Sequence, residues 1–252
     1  MTILSVDLAS NRYRDIGVAI LSRREGFVAV EFVEAGASGL RGRPQVEDVA
    51  SWLADMAGNH EADVMFIDGP QGWKDPSNGL VHARRCEWEL ATPGKTGLPG
   101  FVKPGSWTRM AAFSIELFDA LTVRGFPRLE DANDLQPGRT LAIESFPTSA
   151  WRSLRLMPLP GKSRTSTSEL TTSIATLGRV VPFILPRPPS HDELQALVAS
   201  LAGLPLLGDL SIGWKFCGSR PTRLLGTWRE GFIVNPVINP GVASGEGSSS
   251  LG

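Results

Sequence analysis

Four carboxylates in this chain stand among residues of a very different character. Asp7 ends the apolar run "ILSVD", Asp68 ends "ADVMFID", and Glu144 lies inside "TLAIESFP". Asp192 opens the helical pattern "SHDELQALVASLAGL". An apolar residue would bury at lower cost in each strand, so the recurrence needs a chemical reason. Carboxylates gathered within a few ångströms repel one another, and a divalent cation relieves that repulsion. Mg²⁺ or Mn²⁺ takes carboxylate and water oxygens and leaves positions for phosphate oxygens. Two such ions can stabilise the attacking and leaving oxygens of an in-line phosphoryl displacement. The pattern therefore predicts Asp7, Asp68, Glu144 and Asp192 as catalytic and metal-ligating residues. Each acid alone has a plainer reading. Asp7 can cap the turn "ASNRYRD", and Asp68 can start the turn at Gly69-Pro70. Ser190 and Glu193 form an S-x-x-E capping box, and Asp192 suits a helix N-terminus. Only Glu144, between Ile143 and Ser145, has no turn chemistry around it.

The elements that must position these acids follow from the patterning. Runs near Ile3–Leu8, Ile16–Leu21 and Phe27–Val33 are joined by short polar links, which predicts an antiparallel meander. Val46, Val49, Trp52, Leu53 and Met56 follow helical spacing, and the strand "ADVMFID" after them implies a right-handed crossover to a parallel position. Residues 69–138 are rich in Gly and Pro and read as a helical insertion, with helical patterns near His82–Leu90 and Thr108–Val123. "GRTLAIESFP" reads as a buried strand ended by Pro147. "SELTTSIATLG" suits a helix, "RVVPFILPRPPS" a short edge strand, and "RPTRLLGTWREGFIVNP" a hairpin or edge strand. On the late helix Asp192, Ala196, Ala199 and Gly203 share one face. Such a small-residue stripe lets a helix approach a sheet closely and aims Asp192 at it. The order predicts an α/β fold of ribonuclease H-like type. It would have a mixed five-stranded core sheet, an antiparallel three-strand meander plus parallel strands, flanked by helices, with insertions and Asp7 on a central strand. Ligand sites in open α/β sheets collect at the carboxyl ends of strands. Residues 1–240 are expected to form one domain, and 241–252 ("GVASGEGSSSLG") a disordered tail.

Composition narrows the function classes. The 252 residues carry a net charge of −1 and are 42% hydrophobic, enough for a sizeable core. That charge argues against a protein coating nucleic acid along its whole length and leaves room for a local basic groove. Two cysteines, Cys86 and Cys217, exclude a disulfide framework and a Cys-rich metal site. The start "MTILSVDL" has no basic n-region and no apolar run approaches a membrane span, so a cytoplasmic protein without a membrane partner is expected. Basic residues cluster away from acids: Arg84 and Arg85 follow the Asp68 strand, and Arg152, Arg155, Lys162 and Arg164 share the acid-free stretch from Ser145 to Ser168. A second acid-free stretch, Leu90 to Ile115, holds Lys95, Lys103, Arg109 and Trp107. Arg84, Arg85, Arg152 and Lys162 are the candidates for contact with substrate phosphates of DNA or RNA; ordinary solvated loops are the plainer reading.

Several pieces in order resemble the family called domain of unknown function 429, a group of predicted ribonuclease H-like nucleases. They are "SVDLA", "FIDGPQGW…ARRCEWEL", "IESFPTSAWRSL", "HDELQALVASLAG" and "WREGFIVNP", spanning most of the chain to about Pro236. The resemblance implies metal ligands at Asp7, Asp68, Glu144 and Asp192, a Mg²⁺ or Mn²⁺ cofactor and a phosphodiesterase activity on nucleic acid. The chain departs from the pattern at Gln195, where the family often has a second helix acid, which leaves fewer acidic ligands than a two-metal site uses. A catalytically inactive ribonuclease H-like binding module is one alternative, favoured by Gln195. An actin-like ATP-dependent small-molecule kinase is another, opposed by the bulky turn "ASNRYRD" where a Gly-rich phosphate loop would stand.

Overall fold

In the first strand Ile3, Ser5 and Asp7 alternate with Leu4 and Val6, and the two sets enter different cores. A strand apolar on both faces must be covered on both sides. The computed structural model describes residues 1–239, so the tail expected at 241–252 lies outside the described residues. Among the described residues an eight-stranded mixed sheet runs β8-β3-β2-β1-β4-β7-β10-β9. Its strands are β1 (Thr2–Asp7), β2 (Gly17–Arg24), β3 (Phe27–Phe32), β4 (Ala62–Asp68), β7 (Leu141–Ser145), β8 (Phe183–Ile184), β9 (Ile212–Leu224) and β10 (Thr227–Ile238). The expected five-stranded core is present as β3-β2-β1-β4-β7, the ribonuclease H-like order, with β1 in its middle and paired antiparallel to β2 and parallel to β4. The sheet is wider than expected. β8 pairs two residues of β3 at one edge, and the β9–β10 hairpin extends the other.

Helices cover both faces. On one side lie α1 (Val46–Asn59) and α3 (Thr108–Val123), packed on Leu4, Val6, Val18 and Ile67. On the other lie α4 (Pro147–Ser153), α5 (Thr167–Gly178) and α6 (His191–Ser200), over Ile3, Ala19, Phe66 and Ile143. Pro147 ends the strand as expected and also starts α4, because proline is tolerated at the first helical position. The segment between β4 and β7 holds α2 (Arg85–Glu89), a small hairpin of β5 (Lys95–Thr96) and β6 (Val102–Lys103), and α3. Cys86 and Cys217 are buried free thiols. No described helix is long and apolar enough to cross a membrane.

Two glycines set the height of α6 above the sheet. A Cβ on Gly17, the residue paired with Asp7, would stand 2.3 Å from the backbone carbon of Asp192. A Cβ on Gly203 would meet Ile3 Cγ1 at 2.7 Å. The small-residue face expected on α6 therefore does rest on the sheet, and Gly17 supplies the matching hollow in β2.

Candidate active site

Asp7 and Asp68 are register partners at the carboxyl ends of adjacent parallel strands. Their side chains leave the sheet on the α6 side, so the two carboxyl groups stand side by side. Two buried carboxyls side by side resist ionising together. Burial, followed by the charges of Asp68 and Asp192, pushes the Asp7 carboxyl well above the ordinary range. Burial also raises Asp68 to about 7, with Glu144 adding to the rise and the neighbouring Asp7 carboxyl opposing it. The first turn of α6, lying on Gly17, brings in Asp192. Ligand atoms of Asp7, His191 and Asp192 all lie within 4.8 Å of one another.

The partners of Asp192 were hidden in sequence. His191 is largely buried: Nδ1 lies 3.1 Å from Asp192 Oδ1 and Nε2 lies 3.0 Å from the Pro160 carbonyl. Lys162 forms an ion pair with Asp192 and another with Asp15 Oδ1 at 3.1 Å. The ammonium stays half exposed, so it sits at the mouth of the acid group. Arg109 binds the Ser10 carbonyl and Asn11 Oδ1, which fixes the β1–β2 turn against the start of α3. Asp7, Asp15 and Asp192 with Arg12, Arg43, Arg109 and Lys162 line a hollow of about 640 Å³. The carboxylate oxygens, with an imidazole beside them, suit Mg²⁺ or Mn²⁺, and the raised Asp7 and Asp68 carboxyls mark where positive charge is wanted. Three acids with Lys162 among them fit one cation more readily than two. Gln195, at the position of the missing acid, instead accepts a hydrogen bond from Trp151 Nε1 at 2.9 Å.

Glu144 is placed differently from the other three. It pairs with Ile67, while Ser145 pairs with Asp68. Side chains alternate along a strand, so this offset of one residue sends Glu144 to the opposite face. There it is fully engaged. Arg84 donates from Nη1 and Nη2 at 2.7 and 2.6 Å, and the Gln71 amide donates at 2.9 Å. Burial pushes the Glu144 carboxyl up, and Arg84 and the Gln71 amide oppose that. Arg84 also binds Glu87, whose oxygens accept from the Thr96 amide. Arg84, one of the residues expected to contact phosphate, has a side chain 2% exposed, and both arms of its fork are occupied by Glu87 and Glu144. Arg85 and Arg152 are exposed but line neither hollow at the acids, and Lys162 alone of the four basic candidates stands at Asp7 and Asp192.

A second cavity of about 250 Å³ opens on the other side of Asp68, between α2, the β5–β6 hairpin and α3. Its walls include Pro70, Val102, Ala111, Phe146 and Ile233, and its floor is the Arg84–Glu87–Glu144 group. Trp107 and Met110 line both hollows.

No family model matches the chain, and no curated protein matches it. Among solved structures it is similar to Thermus thermophilus RuvC, with 10% identity and a TM-score of 0.37 over 81% of this chain and 93% of that one. It is similar to the same extent to T. thermophilus RuvC in complex with a Holliday junction substrate, over 92% of that chain.

Proposed function

We propose that this chain is a divalent-cation-dependent phosphodiesterase acting on nucleic acid, a ribonuclease H-like nuclease of the kind that the resemblance to the domain of unknown function 429 implies. The observation that carries the reading is the group formed by Asp7, Asp68 and Asp192. Asp7 from a strand end and Asp192 from a helix turn converge with His191 at a basic hollow, and Asp68 stands beside Asp7 on the next strand. Asp7, Asp68 and Asp192 would hold Mg²⁺ or Mn²⁺, which when bound polarises a phosphate ester and makes its water more acidic. His191 buttresses Asp192 through Nδ1 and is itself held by the Pro160 carbonyl. Lys162 keeps its ammonium at the mouth, where a non-bridging phosphate oxygen would arrive. Arg12, Arg43 and Arg109 give the hollow the positive rim that a DNA or RNA backbone requires. Glu144 stands outside this set and braces the sheet end through Arg84.

Calorimetry with Mn²⁺, paired with cleavage assays on single- and double-stranded DNA and RNA, tests the proposal. Wild type should bind the ion and cut at least one substrate, and Asp7→Asn and Asp192→Asn should lose both activities. An Asp7→Asn protein that binds Mn²⁺ as wild type does would end this reading.

A further inference from the structure

The Asp7–Asp68 pair sits on the border of two hollows of opposite character. Asp7 and Asp192 face the basic cleft of about 640 Å³, and Asp68 faces the mainly apolar cavity of about 250 Å³. Trp107 and Met110 form the partition. The Trp107 indole lies against the backbone of Gly94, where a Cβ would meet ring carbon Cζ3 at 2.2 Å, and the residue is still 46% exposed. A phosphate held at the acids would therefore have a charged channel on one side and an aromatic-walled slot on the other.

We infer that the apolar cavity receives one unpaired nucleobase next to the phosphate at the acid site. The inference rests on the nuclease reading and deepens it: the substrate would be single-stranded nucleic acid, or a duplex position whose base has left the stack. The cavity lies below the roughly 300–1,000 Å³ of sites for drug-sized ligands and suits a single planar ring system. Proteins that bind unpaired nucleic acid stack its bases on aromatic side chains beside a charged groove, as Trp107 and the basic cleft would allow. The polar groups on the floor are already bonded to one another. Arg84 is engaged by Glu87 and Glu144, Glu87 by the Thr96 amide, and the Lys95 ammonium by the Thr92 and Glu87 carbonyls. Only the Asp68 carboxyl and the Ser145 hydroxyl, which has no hydrogen-bond partner, are left to meet a base edge. Recognition is mainly by stacking and shape, and any base preference would come from these two groups.

The experiment measures fluorescence anisotropy of a short single strand and of its duplex, in Ca²⁺, with wild type, Trp107→Ala and Trp107→Phe. A second arm maps the photocrosslink of a single strand carrying one 5-iodouracil. Wild type should prefer the single strand, Trp107→Ala should weaken single-strand binding roughly tenfold, and Trp107→Phe should restore most of it. The crosslink should fall on Trp107 or a cavity residue such as Met110. Wild-type single-strand affinity in Trp107→Ala, with crosslinks outside the cavity, overturns the base site while leaving the nuclease reading intact. Failure of wild type to bind or cut any nucleic acid overturns both. Equal binding of duplex and single strand, with duplex cut normally, removes the base site alone.

Discussion

Asp68 and Glu144 end neighbouring parallel strands one register step apart, and the protein treats them in opposite ways. Glu144 receives a bidentate guanidinium and a backbone amide, so its charge is matched inside the fold. Asp68 receives another carboxyl, and burial lifts it to about 7. A carboxyl group at the same sheet end is thus a finished structural joint in one place and an unsatisfied demand for positive charge in the other. What distinguishes them is the face of the sheet. On the α3 side the insertion supplies Arg84. On the α6 side the helix supplies a third acid, and only Lys162 and His191 approach from the rim.

That contrast can be broken from either end. The largest effect is expected from Arg84→Met, which leaves Glu144 buried with no countercharge. Removing one partner of a buried ion pair costs about 3–5 kcal/mol, so denaturant melts should show a loss of that order, equal with and without Mn²⁺. Glu144→Gln should also destabilise the fold while leaving Mn²⁺ affinity within about twofold of wild type. A large loss of Mn²⁺ affinity in Glu144→Gln would return Glu144 to the metal site.

The opposite behaviour is expected at the acid pair. Asp7→Asn removes a repulsive neighbour, so the metal-free protein should be as stable as wild type or more so by about 1 kcal/mol, while Mn²⁺ affinity falls by roughly tenfold or more. The pH dependence follows. Asp68 titrates at about 7 in the fold against an ordinary 3.8, and Asp7 is raised as well. Between these limits the folded state holds protons that the unfolded state has released, so metal-free stability falls as pH rises from about 4 to about 7. Despite burial, Arg187 and Ser190 hold the Glu193 carboxyl below its ordinary range, so its effect lies at the acidic end of that window. Saturating Mn²⁺ should flatten the slope, because the ion displaces protons from the raised carboxyls. Melts at four or five pH values, with and without the ion, check this; a metal-free stability that climbs over pH 4–7 would contradict the raised Asp7 and Asp68 carboxyls.

The smallest effect is expected at Lys162. Lys162→Gln removes a competing cation beside Asp192, so Mn²⁺ should bind a few-fold tighter. The salt dependence of nucleic-acid binding should weaken by about one phosphate contact. Salt titrations of wild type and variant measure both sides of that exchange.

Most of the sheet could be read from the chain because each strand announces itself by apolar alternation and each link by its length. The meander, the crossover through α1, the edge strand at Phe183 and the cap of α6 at Ser190 all follow from local pattern. The faces did not follow. Whether Glu144 or Ser145 stands beside Asp68 depends on a register shift of one residue, which no local signal encodes and which reverses every side chain. Arg84 illustrates the same gap: as a residue in a Gly/Pro-rich segment it reads as a solvent-facing cation, and only the return of that segment over β7 buries it. Gly17 carried a usable signal, a glycine opposite the candidate acid, but its meaning depends on the helix that lands on it 175 positions later.

The place of β10 in the sheet has a consequence for how the protein is made. Ile233 of β10 pairs with Glu144, and Glu230 accepts from the amides of Asp75 and Arg85 and from Asn78. The segment that closes one wall of the apolar cavity is therefore synthesised after every other strand of the sheet. Until it arrives, β7 is an open sheet edge and α2 lacks its anchor, a state exposed to mispairing with other nascent chains. The three acids on the other face need no residue beyond α6. Synthesis thus completes the charged half of the cleft before the aromatic half, and a chain cut short before Trp228 would carry the acids without a settled wall beside them.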